Sequence, residues 1–173
     1  MKRPSKTSKP AASGIKQEEW LLRYIEDAFE HVSLSGGIDI HRAQSMDDYG
    51  NMVEDQLAKY TEVIDWRRVP VTILNERPFA VTFLDAHGFR FYAPAIMTMI
   101  VNKADVNSNL EDSFICNLQV DVHGQIKGVP FHSLFSVKQR AAIVRFLKFQ
   151  IHHRWPNTYG DSELTLTRIL THT

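Results

Sequence analysis

The sequence predicts one α+β domain that is rich in helix and built around a β-hairpin leading into a buried helix. Three observations point there. Phe79, Val81 and Phe83 alternate with Ala80 and Thr82, and Phe89 and Phe91 alternate with Arg90 and Tyr92, which is strand periodicity. Pro94 then opens a run to Val101 in which only Thr98 is polar, so that helix must be covered on most sides. Amphipathic repeats at 17–32 and 136–153 supply the helices to cover it.

Taken in order, residues 1–16 carry Lys, Arg, Pro, Ser and Gly with little apolar content and no acid. They read as a disordered basic tail ahead of a globular domain at 17–173. Gln17 to Val32 is a helix with Leu21, Leu22, Ile25, Ala28, Phe29 and Val32 on one face, stopped by Gly36-Gly37. Ser45 is read as the cap of a second helix, with Asp47 and Asp48 in its first turn and a stripe running from Met46 to Tyr60. Trp66 anchors the next segment in the core. Asp85-Ala86-His87-Gly88 is the hairpin connection, because Asp suits the start of a turn and Gly tolerates positive φ near its end. Pro94 sits at the first helical position, where a missing N–H costs nothing. Leu110 to Leu118 reads as a short helix, and Val120 to Ile126 as a loose hairpin around His123-Gly124. Ser136 and Gln139 form an S-x-x-Q capping box ahead of the longest periodic run, which ends at His153 before Pro156. Asp161 to Leu170 is a final short helix.

Composition narrows the class. With 43% hydrophobic and 23% charged residues in 173, the chain is an ordinary globular domain able to bury its own core. It has one cysteine, Cys116, so no internal disulfide can form, which fits a reducing cytosol. No apolar run reaches the roughly 20 residues of a membrane span. Net charge is +0, but the charges are segregated. Residues 17–65 are dense in acids against Arg23, Arg42 and Lys59, whereas residues 122–160 hold six bases and no acid, from Lys127 to Arg154. The zero total argues against bulk polyanion binding, and the segregation leaves room for a local patch.

Two constellations could carry chemistry. Asp85, His87, Arg90 and Tyr92 surround the predicted hairpin, where Asp and His could orient a base and Arg90 could hold an anion. That is the basis for a small hydrolase or metal-dependent enzyme, with His87, Arg90 and Tyr92 as the candidate catalytic residues. A turn Asp and a solvated His explain the same residues. The second constellation is Lys138, Arg145, Lys148 and His152, a basic stripe on the last long helix. It could meet an acidic protein surface, a nucleic-acid backbone assisted by the basic tail, or the chain's own acidic first helices. Cys116 reads as a small core residue. No phosphate loop, C-x-x-C pair, H-E-x-x-H or G-x-S-x-G occurs, and no metal or cofactor is implied.

The phrase Phe83-Leu84, Gly88-Phe89-Arg90, Tyr92, Pro94-Ala95 resembles a bacterial family, domain of unknown function 6714, whose central phrase has the form FL…GFRYYLPA. A preceding tryptophan matches Trp66, and a following Gln-opened helix with a Phe-Leu pair matches Gln139 and Phe146-Leu147. Ala93 stands where leucine is expected. The resemblance spans residues 18–152 and implies a bacterial cytosolic domain without a catalytic residue to carry over. The resulting expectation is a non-catalytic interaction module, toxin neutralisation being one analogy among small bacterial domains.

Overall fold

The computed structural model describes residues 11–50, 65–104, 109–153 and 162–171. Its helices are α1 (Ala11–Ala28), α2 (Ile40–Asp47), α3 (Val71–Glu76), α4 (Ala86–Val101), α5 (Asn109–Leu118), α6 (Phe131–Leu134), α7 (Val137–His153) and α8 (Ser162–Thr171). Two 3₁₀ turns, Trp66–Arg68 and Pro78–Phe83, and one hairpin, β1 (Gln125–Ile126) with β2 (Val129–Pro130), complete it. The helix-rich α+β class holds. The hairpin, however, lies at 125–130 and runs into α6, not into the apolar helix.

The region read as strand–turn–strand is a 3₁₀ turn followed by the centre of the protein, α4. Among the residues of α4 only His87 is exposed. A helix buried on every side has no polar stripe, so its sequence carries no 3.6-residue period to contradict an accidental alternation of two. Asp85 is the N-cap, accepting from the Gly88 N–H at 2.8 Å. The same short-range acceptor serves turns and helix starts, which is why the local signal misled. Pro94 lies inside the helix, and its missing N–H cannot serve the Arg90 carbonyl four residues back. In the 3₁₀ turn Phe79 is 56% exposed while Ala80 and Val81 are buried, so the alternation predicted there fails as well.

The surrounding helices fit their sequence signals unevenly. α1 begins at Ala11, ahead of Gln17, and it buries Leu21, Ile25 and Ala28. Phe29 and Val32, just beyond it, are buried too. α2 starts earlier than predicted, capped by Asp39, whose side chain accepts from the His41 and Arg42 N–H groups. Ser45 is therefore a buried residue near its end and not a cap. Tyr49 and Gly50 have φ of 60° and 73°, which stops α-helix there. The remainder of that predicted helix, 51–64, lies outside the described residues. Trp66 is a core anchor, and its Nε1 donates to the Phe29 carbonyl at 2.9 Å.

α5 forms where expected, but Cys116 on it is exposed rather than in the core. His123-Gly124 forms a turn closed by Gly124 N–H to the Asp121 carbonyl, and the strands pair one turn later. Their two-residue connection, Lys127 and Gly128 at φ 53° and 76°, has the positive φ such hairpins need. The α7 capping box forms reciprocally. Gln139 N–H reaches Ser136 Oγ at 3.3 Å, and Ser136 N–H reaches Gln139 Oε1 at 3.0 Å. Ala142, Ile143, Phe146 and Leu147 are buried as the pattern requires. Phe89, Phe114 and Phe146 join α4, α5 and α7 through ring contacts at 5.5 and 6.0 Å. Gln150, also on that inner face, donates to buried Glu111 at 2.5 Å.

The tightest joint is between residues 37–40 and the start of α4. Asp85 Oδ1 also accepts from the Ile38 N–H at 2.9 Å, and Tyr92 Oη accepts from the Ile40 N–H at 3.1 Å. A Cβ at Gly37 would lie 2.6 Å from the Gly88 nitrogen, and one at Gly88 would collide with the Ile38 carbonyl oxygen. Backbone cannot yield as a flexible side-chain end can. Gly88→Ala is expected to cost about 2 kcal/mol, and Tyr92→Phe about 1–2 kcal/mol by leaving a buried N–H unpaired. Urea-unfolding midpoints of the two variants check both values.

Candidate functional site

The predicted quartet does not converge. Asp85 and Tyr92 are committed to backbone N–H groups of residues 38 and 40. Burial raises the Tyr92 phenol to about 12, so it stays a neutral hydroxyl at ordinary pH. His87 faces solvent on the first turn of α4. On a helix, residues two apart point about 200° apart, and Arg90 accordingly leaves Tyr92 behind and enters a different place.

That place is a cleft of about 560 Å³. One wall is the end of α1 and the residues after it, Asp27, Ala28, Glu30, His31 and Val32. The other is the α6–α7 junction, His132 to Ser136 with Lys138 and Gln139. The capping box sets the direction in which α7 leaves this wall. Arg140 fastens it from behind, donating to the His132 and Phe135 carbonyls at 3.0 Å each. Phe135 is fully buried between Phe29 and Phe131, with ring separations of 6.3 and 5.3 Å, so the floor is fixed by aromatic packing.

The charges in the cleft are unevenly matched. Lys138 Nζ pairs with Asp27 Oδ2 at 2.5 Å, and Glu30 lies 3.6 Å from His31 at the exposed rim. Arg90 is half-buried, its Nε is shielded from water, and that Nε has no hydrogen-bond partner. A guanidinium keeps its charge at any pH a protein tolerates. A shielded N–H of a charged guanidinium without an acceptor is costly, and a nearby anion offsets that cost.

The basic stripe is divided by the tertiary structure. Besides the Lys138–Asp27 pair, the Arg145 guanidinium lies 4.4 Å from the Tyr24 ring and 5.8 Å from Trp20, both on α1. Lys148 and His152 remain exposed. The acid-free stretch thus faces the acidic first helix, one of the three partners its composition allowed. Of the residues that line the cleft, Arg90 and Lys138 were candidates from the sequence, and Ser136 and Gln139 carried a signal through their capping box. Arg140 carried none, because its acceptors are two carbonyls whose positions depend on how α6 turns into α7.

A second titratable contact was also invisible locally. His41 Nδ1 on α2 meets Arg77 Nη1 between α3 and the 78–83 turn. Burial, and next the Arg77 charge, hold the His41 imidazole below its ordinary 6.5. The unfolded chain then binds the extra proton more readily, so this contribution is present above pH about 6.5 and is lost as pH falls through the folded value. Stability should decline between pH 7.5 and 5, and His41→Gln should decline less steeply. Urea midpoints across that range measure the difference in slope.

Among the described residues no three of His, Cys, Asp and Glu gather as a metal-binding group, and no helix is long and apolar enough to cross a membrane. The family model for DUF6714, described as a family of unknown function, matches residues 17–161, and the chain belongs to that family. No curated protein and no solved structure matches it.

Proposed function

We propose that this member of the DUF6714 family is a non-catalytic binding module that receives an acidic surface of a protein partner at the Arg90 cleft. One observation carries the reading: an arginine lines the cleft, and its shielded Nε has no hydrogen-bond partner. Arginine holds anions but does not exchange protons near neutral pH, so it suits recognition better than acid–base work. The hydrolase alternative centres on His87, Arg90 and Tyr92, with Asp85 to complete it. Asp85 and Tyr92 are engaged with backbone N–H groups and His87 faces away. Nucleic acid fits less well, because Asp27 and Glu30 stand at the cleft and Lys138 is already paired. Exposed Lys148 can assist approach electrostatically, with His152 exposed beside it. A single, exposed thiol at Cys116 supports placing the module in a reducing bacterial cytosol.

The reading is tested with tagged bait in three forms: wild type, Arg90→Ala and Lys148→Glu. Proteins crosslinked to each are quantified against the others. A partner lost about tenfold with Arg90→Ala, and only slowed in association by Lys148→Glu at low salt, is the expected outcome. A partner held equally by wild type and Arg90→Ala, or none held by wild type, overturns it.

A further inference from the structure

We infer that the cleft is a carboxylate receptor in which Arg90 is the selecting group; this rests on, and deepens, the binding-module reading above. The geometry favours a planar monoanion. A guanidinium presents a rigid fork of N–H donors that a carboxylate matches with two parallel hydrogen bonds. The Arg90 fork starts from the rigid centre of the protein, since α4 is buried on nearly all sides and capped by Asp85.

Charge selects among anions. Lys138 is paired with Asp27, so among the described residues that line the cleft Arg90 is the lysine or arginine left to the ligand, and Glu30 stands on the same cleft wall. One positive charge balances a carboxylate. A phosphate near neutral pH carries about −1.5 to −2, and its surplus would meet the like charges of Asp27 and Glu30. Size excludes a bare ion as the natural occupant. About 560 Å³ is the volume of a site for a body of many atoms, within the roughly 300–1,000 Å³ usual for such sites. Val32 and Leu134, both buried, form the apolar base of the cleft wall beside the charge. The carboxylate thus arrives on a protein segment.

The assignment is tested on the full chain labelled with ¹⁵N. The Arg90 Nε–H resonance is identified by its absence from Arg90→Lys. Three probes are titrated at constant pH and ionic strength: glutarate, a capped hexapeptide with one central glutamate, and inorganic phosphate. Saturable shifts of the Arg90 signal with both carboxylates, and binding of phosphate about tenfold weaker or less, are expected. The tighter of the two carboxylates identifies the source as a peptide or a free acid. Arg90→Lys keeps the charge and loses the fork, so carboxylate affinity read from backbone amides should fall about tenfold. Arg90→Gln serves if Arg90→Lys disturbs the amide spectrum. Phosphate binding as tightly as carboxylate, an unmoved Arg90 signal, or undiminished affinity in the variants overturns the assignment. A win for phosphate would do so while leaving the crosslinked partner's dependence on Arg90, and hence the module reading, intact.

Discussion

The docking of the 37–40 backbone against the first turns of α4 is the constraint on which the other features depend. It uses one carboxylate oxygen twice, Asp85 Oδ1 accepting from Ile38 and Gly88 N–H groups, and one phenol, Tyr92 Oη, accepting from Ile40. Gly37 and Gly88 let the two backbones approach with no room for a Cβ. Buried polar groups satisfied in this way specify a position, since any shift would leave them unpaired. With α4 located, α1 packs on it and α7 packs on α1, and Arg90 is carried to the cleft at the seam between α1 and the α6–α7 junction.

That seam is also where opposite charges meet. Acid-rich α1 and acid-free α7 touch through Lys138–Asp27 and through Arg145 over Tyr24. Both side chains of the first pair are at least half exposed, so the pair adds little to stability by itself. Its effect is selective. It uses up the lysine at the mouth of the cleft and leaves the cation deeper within, on α4. A net charge of +0 is therefore compatible with a localised anion site, because the compensation happens inside the fold.

Legibility followed physical locality. The α7 capping box was readable because both partners lie within one turn, Ser136 with Gln139. α5 and the buried stripe of α1 were readable because each has a wet and a dry side. Residues 79–92 were misread because a helix covered all round has no period, while Asp85 and Gly88 serve caps and turns with the same chemistry. The start of α2 at Ile40 was missed although Asp39 is a good cap, since only a short helix follows it.

For the candidate site, a place in the predicted hairpin singled out Arg90, and composition segregated the bases of 122–160 from the acids of 17–65, because residue type and charge are properties of the chain. The same reading grouped Arg90 with His87 and Tyr92, which a helix sends in different directions. Only the tertiary structure decided which charges cancel and which do not. It paired Lys138 with Asp27 and laid Arg145 on Tyr24. It committed Asp85 and Tyr92 to the backbone and left Arg90 Nε without a partner. Those outcomes depend on distances between residues far apart in the chain, and no local pattern contains them.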